Sequence, residues 1–240
     1  MFAVDVAKNA LAALSPGLIE WRHRQHELVQ SCAVTAFDKH RGVIERRRPV
    51  SGRVLEVGPG GGFAFAELLV EHGCDVVCID IERWADEAPA GVEYVWPCSI
   101  ESANFPDNSF DLVVSTACFE HFADPERAVW NIARMLKPGG VTSHQIDLRD
   151  HRDFDRPLDF LRYSDRVWSL MTSHRPGQPN RWRASDILQA FDRHGLDVYS
   201  LDRSPTSKVS ERQRARFAPR FRSKSLDDLG TLEVFLAATC

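Results

Sequence analysis

No apolar run in this 240-residue chain approaches the roughly 18 residues that carry a helix through a bilayer, which argues against a helical membrane span. The opening stretch, "MFAVDVAKNALAALSPG", lacks the basic leading residues of a secretion signal, and its Ala/Leu pattern reads as a short helix stopped at Ser15-Pro16-Gly17. A surplus of positive charge is missing too. The formal net charge is −4, which argues against a general nucleic-acid binder while leaving room for a local basic patch. The six cysteines, Cys32, Cys74, Cys78, Cys98, Cys118 and Cys240, form neither a CxxC pair nor a zinc-like spacing. They are expected to be reduced thiols of a cytoplasmic protein, with Cys74 and Cys78 on one face of a strand. Internal repeats and low-complexity linkers are also absent.

What remains is ordinary globular material. A hydrophobic content of 43 % and a length of 240 residues suit one domain with some elaboration. Such a chain buries roughly 70 % of the surface that its unfolded form exposes.

Residues 18–41 carry apolar positions at helical spacing among many charges, the pattern of an amphipathic helix lying on something larger. Then the period changes. "RVLEVG", "DVVCID", "GVEYVWP", "FDLVVSTA" and "VTSHQIDL" read as five strands, apolar enough to be covered on both faces. "GFAFAELLVEHG" and "DPERAVWNIARMLKPGG" read as helices between them, the second with Asp124 as its cap, Pro125 in its first turn and a Pro-Gly-Gly stop. Alternation of this kind predicts a doubly wound α/β sheet. After Leu148 the rhythm breaks. "LDFLRYSDRVWSLM" reads as one helical stretch, "RASDILQAFDRHG" as a helix capped by Ser185, and "LDVYSL" and "TLEVFLAAT" as two late strands. Between those strands, residues 212–224 are strongly basic. They read as a solvated segment, a lid over an anionic acceptor or, less in keeping with the acidic balance, a nucleic-acid contact.

The densest signal is "VLEVGPGGG" at 54–62. A strand, a glycine turn and a helix aim backbone N–H groups at a ligand. The usual dinucleotide spacing is G-x-G-x-x-G; here Gly58, Gly60 and Gly62 make G-x-G-x-G, and Phe63 stands where the last glycine would. Asp80 ends the second strand 22 residues after Gly58, where a carboxylate accepts hydrogen bonds from ribose hydroxyls. Glu56, beside the turn, would repel a pyrophosphate and suits a cationic ligand, or it satisfies loop amides.

The stretch from Val54 to Gly140 resembles the class I S-adenosylmethionine (SAM)-dependent methyltransferases, in particular the branch with small-molecule acceptors. "VLEVGPGGG" is similar to its first motif and "VVCID" to its second. "FPDNSFDLVVSTACFEHFADPERAVWNIARMLKPGG" is similar to its fourth-strand block and following helix. The resemblance implies a Rossmann-like seven-stranded sheet with an antiparallel last strand. It further implies a helical cap over residues 1–48 and a SAM-dependent domain over 49–240 with an acceptor-binding insertion around 149–183. SAM would be the cofactor. Gly58, Gly60 and Gly62 would line its amino-acid and ribose region with Glu56 and Thr116, Asp80 would hold the ribose, and Ile81 would pack on the adenine. Where the family often has an acid reading the adenine amino group, this chain has Ser99, followed by Ile100 and Glu101, so the Ser99 hydroxyl and Ile100 backbone are expected to read the ring.

In open parallel sheets ligands bind beyond the carboxyl ends of the strands, which places "STACFEH" and "SHQIDLRDH" at the acceptor. Methyl transfer to a hydroxyl needs alignment and loss of a proton. His151 is the expected base, Asp147 its orienting partner or a substrate ligand, and His121 either a catalytic group or a pocket wall. His144, in mid-strand, reads better as a satisfied buried histidine. Asp147, Asp150 and His151 are also what an O/N metal set or a plain surface loop looks like, and no metal site is assigned. "APRFRSKSLDDL" and "NRWRASD" resemble bacterial methyltransferases of glycan or secondary-metabolite tailoring; Arg181, Trp182 and Arg183 would clamp a phosphate or carboxylate and stack on a ring, or form a solvated turn. The reading is a SAM-dependent methyltransferase (a transferase, EC 2.1.1.-) that O-methylates a small hydroxylated molecule, a sugar or natural product, with a homo-oligomer left open. The rivals are a nicotinamide-dependent oxidoreductase and an inactive SAM-fold binding protein.

Overall fold

The computed structural model describes residues 32–173 and 178–240. The helix expected over the first 17 residues, and residues 18–31 of the next, lie outside the described residues. Residues 32–44 are helical (α1) and run three residues beyond the expected end.

A seven-stranded sheet forms the centre. Its strands are β1 (Arg53–Val57), β2 (Asp75–Ile79), β3 (Val92–Val95), β4 (Phe110–Thr116), β5 (Leu136–Asp147), β6 (Asp197–Asp202) and β7 (Glu233–Thr239). They lie in the order β3-β2-β1-β4-β5-β7-β6. The first five run parallel, while β7 is antiparallel to both β5 and β6. Both faces are covered, and the strand period of two sorts the side chains between them. Leu55, Val57, Val77, Ile79 and Val113 face a core closed by α3 (Pro125–Met135) and α5 (Ala184–Arg193). Val54, Val76, Cys78, Leu112 and Val114 face the opposite core, closed by α1 and α2 (Ala64–Glu71).

Local sequence explains most boundaries. Asp124 Oδ1 accepts the Arg127 amide at 3.0 Å, and Pro125 opens α3. The Pro-Gly-Gly expected to stop that helix lies instead within β5. The helix breaks at Leu136, whose backbone is extended. Leu136 pairs with Phe110 and Val141 with Leu112, so Lys137–Gly140 bulge out of the ladder.

The stretch read as one helix, "LDFLRYSDRVWSLM", is two: a 3-10 turn, Asp159–Arg162, and α4 (Asp165–Thr172), capped by Ser164 Oγ. Ser185 does not cap α5; Arg183 occupies that position, and the Ser185 hydroxyl donates to Asp228 Oδ2 at 2.5 Å.

The basic stretch is folded and anchored, with most of its arginines facing out. It folds into α6 (Glu211–Arg214) and α7 (Pro219–Arg222), followed by α8 (Leu226–Gly230). Phe217 and Phe221 are buried against Phe160, Leu161 and Trp168 in a third core, and the Ala218 amide donates to Leu161 O at 2.8 Å. Residues 149–173, 178–183 and 212–224 therefore form one small lobe over the end of β5.

Arg181 and Arg183, read as an anion clamp or a solvated turn, are neither. Arg183 is fully buried. Its Nη1 donates to Leu148 O at 2.7 Å, and its Nη2 donates to Leu229 O at 3.0 Å and to Thr231 O. Arg181, equally sequestered, donates to Phe160 O (3.1 Å), Tyr163 O (2.6 Å) and the Asp165 carboxylate. Desolvation lowers both guanidinium pKa values to about 10, still charged at neutral pH. These forks tie the lobe to the sheet.

Replacing Arg183 with Ala leaves three buried carbonyls without their donor, so unfolding in denaturant should show a loss of roughly 3–5 kcal/mol. Arg183→Lys should recover little of it, because an ammonium cannot span carbonyls on two segments.

Candidate functional site

The strand order reverses between β1 and β4, and a groove opens at their carboxyl ends. Gly58 turns the chain there at φ +75°, its amide donating to Ile79 O at 2.9 Å. A Cβ on Gly58 would lie 2.9 Å from Cys118 Cβ, so only glycine fits. Phe63 stands in the place of the missing glycine with φ +50°, a left-handed cap to α2, held by its buried ring packing edge-on to Tyr94 at 4.9 Å.

Two cavities meet at Gly58. One, of about 520 Å³, lies between the glycine turn and α1 and is walled by Glu56, Gly62, Phe65 and Thr116. The other, of about 180 Å³, lies on the far side and is walled by Asp80, Ile81, Ser99, Ile100, Glu101 and His121. Gly60 adopts φ +63° in the same turn.

Glu56 is buried, and no loop amide is paired with it. Its partner is the thiol of Cys78, the neighbouring residue across β1 and β2, at 3.5 Å. Burial pushes its carboxyl up to about 7. Asp80 Oδ1 accepts the Glu82 amide at 3.0 Å, which fixes the carboxylate at the cavity wall. Ile81 is 59 % exposed, an uncovered apolar ledge beside it. The Ser99 hydroxyl turns to Glu101 Oε2, while Glu101 Oε1 accepts the Ala123 amide at 2.8 Å. An acid is therefore present in this wall after all, two residues beyond the aligned position. Asn131 fixes the segment by donating to Ile100 O at 2.7 Å and Ala103 O at 2.9 Å.

Thr116 Oγ1 meets His40 Nε2 at 3.2 Å, and His40 Nδ1 meets Ser143 Oγ at 2.8 Å. This contact seats α1 against the groove. No sequence signal singles out His40, a polar residue in an amphipathic helix. His144 behaves as the satisfied buried histidine expected: its nitrogens meet Ser115 Oγ (2.7 Å) and Thr142 Oγ1 (2.6 Å), and desolvation lowers its pKa to about 3.

At the acceptor end, loops after β4 and β5 converge. A 3-10 turn, Phe119–His121, carries Glu120 and His121. Asn180 clamps the turn: its amide donates to Glu120 O at 2.7 Å, and its side chain donates to Phe119 O at 3.0 Å and Phe122 O at 3.3 Å. The rings of His121 and His151 lie 5.1 Å apart. His151 Nε2 is 3.5 Å from Asp147 Oδ2, and Arg149 grips the same carboxylate (Nη2 to Oδ2, 2.6 Å). Burial pushes the Asp147 carboxyl up, but the His151 and Arg149 contacts outweigh it and hold the pKa well below the usual range. Asp150 is not part of this group; it is buried and bound to Arg152 Nη2 at 2.7 Å. Glu120, not among the candidates, points into the cluster, and burial pushes its carboxyl up to about 8.

A protein family described as a methyltransferase domain matches residues 21–201. An uncharacterised methyltransferase of Mycobacterium bovis is 32 % identical over 213 residues, covering 80 % of this chain and 83 % of that protein. A ubiquinone biosynthesis O-methyltransferase of Coxiella burnetii is 27 % identical over 176 residues, covering 66 % of this chain and 73 % of that protein. Among solved structures, geranyl diphosphate C-methyltransferase from Streptomyces coelicolor, in complex with Mg²⁺, geranyl diphosphate and S-adenosyl-L-homocysteine, superposes with a TM-score of 0.58 at 15 % identity. It covers 89 % of this chain and 80 % of that one, a likeness of fold.

The raised pKa of Glu56 has a sign that can be checked. An acid that holds its proton more tightly when folded adds stability below its unfolded pKa, and that stability is lost as pH rises toward about 7. Relative to Glu56→Gln, the ligand-free protein should lose on the order of 3 kcal/mol between pH 4.5 and 8, measured by denaturant unfolding at each pH.

Proposed function

The chain belongs to the methyltransferase-domain family, and from that membership we propose that it transfers the methyl group of SAM to a hydroxyl oxygen of a small molecule. SAM dependence and methyl transfer come with the family. The oxygen acceptor, and its nature as a sugar or natural-product metabolite, are the finer reading. One observation carries it: the cavity beside Gly58 is walled by His121, whose ring lies 5.1 Å from that of His151, and His151 stands 3.5 Å from the ionised carboxylate of Asp147. The name of the Coxiella relative, an O-methyltransferase, is in keeping with an oxygen acceptor.

The residues fit the cofactor. A bulky ligand can approach the backbone at Gly58, where a Cβ has no room. Gly58, Gly62 and Thr116 line the amino-acid end, Gly60 shapes the same turn, and Glu56 is the buried carboxyl facing an ammonium group. Asp80 accepts the ribose hydroxyls. Ile81 covers the adenine, and Ser99 and the Ile100 backbone border its edge. When bound, SAM supplies a methyl group already activated on a sulfonium. The chain's own task is then to align and deprotonate. Residues 149–183 form the wall that holds the acceptor. His151, oriented by Asp147, takes the hydroxyl proton, and His121 completes the wall across from it. Arg149 keeps Asp147 ionised, so the imidazole stays oriented.

Calorimetric titration with S-adenosylhomocysteine, with NAD as control, tests the groove; a panel of hydroxylated metabolites with SAM then tests the acceptor. Asp80→Ala should weaken S-adenosylhomocysteine binding by roughly 1.5–3 kcal/mol, and unchanged affinity would remove Asp80 from the site. His151→Ala should slow turnover by about 100- to 10,000-fold while leaving that affinity unchanged. Normal turnover would remove it as the base.

A further inference from the structure

Glu120 has no task in the scheme above. It is 2 % exposed, and neither carboxylate oxygen accepts a hydrogen bond of ordinary geometry. Among the described residues, only the backbone N–H groups of Glu120 and Asp147 approach it, at poor geometry. A buried carboxyl so weakly satisfied is costly to fold, and a native chain keeps one where something is to be bound. One donor atom from each of Glu120, His121 and His151 lies within 4.8 Å of the other two. We infer that these three residues hold a divalent transition-metal ion and that the acceptor hydroxyl takes its open position.

The donor set defines the ion. Two imidazoles and one carboxylate suit zinc, cobalt or manganese, whereas calcium and magnesium take shells of oxygen. Three protein ligands leave one position open, as in catalytic rather than structural sites. Bonds of about 2.1 Å put the donors of a tetrahedral ion roughly 3.4 Å apart, a closure that small rotations of the side chains supply. The surroundings are those of a ligand shell. Asp147 stands behind His151 as the outer carboxylate that orients a ligating imidazole, and Arg149 holds Asp147 in turn. Asn180 fixes the turn that carries the other two ligands.

The chemistry of this ion rests on the hydroxyl-acceptor reading; its binding does not. A nitrogen that binds the ion has no lone pair for a proton, so with the ion in place His151 is a ligand and no longer the base. The ion draws electron density from the acceptor hydroxyl, whose proton passes to water. The oxygen lone pair then forms the O–C bond as the C–S bond breaks, with its electron pair left on sulfur.

The test titrates the chelator-treated full-length protein with Co²⁺, followed by calorimetry and by the visible absorption of the bound ion. One Co²⁺ per chain is expected. Affinity should fall by about 100-fold or more in Glu120→Gln and in His121→Ala, and by about tenfold in Asp147→Asn. S-adenosylhomocysteine binding serves as the folding check for Glu120→Gln and Asp147→Asn and should be unchanged in both. His121 walls the cofactor cavity, so for His121→Ala the check is an unchanged denaturant unfolding midpoint. Failure of the wild-type protein to bind Co²⁺, or undiminished binding by both ligand variants, overturns the site. Methylation of a hydroxyl acceptor that persists with no Co²⁺ site overturns the ion and leaves O-methylation standing. An intact Co²⁺ site with transfer only to nitrogen or carbon acceptors does the reverse.

Discussion

The parallel pairing of β1 with β4 is the constraint from which the site follows. Val54, Leu55 and Glu56 lie against Leu112, Val113 and Val114, and the connections on either side of this pair leave in opposite directions. No crossover helix can cover the carboxyl ends where the order reverses, so a crevice is left there. Each functional group hangs from that edge: the glycine turn after β1, Asp80 after β2, Ser99 beyond β3, Thr116 and the Glu120–His121 turn after β4, and Asp147 and His151 at the end of β5. Shifting β1 by one residue against β4 would exchange the two faces and send Glu56 into the opposite core.

Burial then sets the charges along the crevice, and it acts in two directions. His40 and His144 lie among hydroxyls and rings, and desolvation pushes both to about 3, so they serve as neutral connectors on opposite faces of β5. Glu56 and Glu120 are held near or above neutrality by the same effect, because their few hydrogen bonds do not offset it. Asp147 is also partly buried, yet Arg149 and His151 more than offset the desolvation and keep it ionised. The protein thus carries a buried protonatable carboxyl at the cofactor end, Glu56, and at the acceptor end both a protonatable carboxyl, Glu120, and a carboxylate held ionised, Asp147.

The lobe over β5 shows how a polar sequence can build a wall. Its core is small, and two buried arginines do the joining by donating to carbonyls of segments far apart in the chain: Leu148, Phe160, Tyr163, Leu229 and Thr231. The basic stretch 212–224 is anchored to the same lobe by Phe217 and Phe221, which are buried in it.

The sheet, its order and the cofactor groove were legible in the chain because each rests on local rules. Apolar strands alternate with helices, glycines sit where φ is positive or a Cβ has no room, Asp124 and Pro125 open a helix, and Asp80 falls at a fixed distance along the strand–turn–helix unit. Residue type and spacing along the backbone decide such features. The acceptor end was legible only in part: His121, Asp147 and His151 stand at strand ends that the topology predicts, but Glu120 joining them, Glu101 facing Ser99, and His40 reaching Thr116 and Ser143 could not be read. Those contacts link residues up to 103 positions apart through side-chain direction and burial. The fate of Arg181 and Arg183 was decided in the same way. An arginine beside a tryptophan looks the same in sequence whether it meets a ligand or a buried carbonyl, and only the packing of the lobe against β5 settled which.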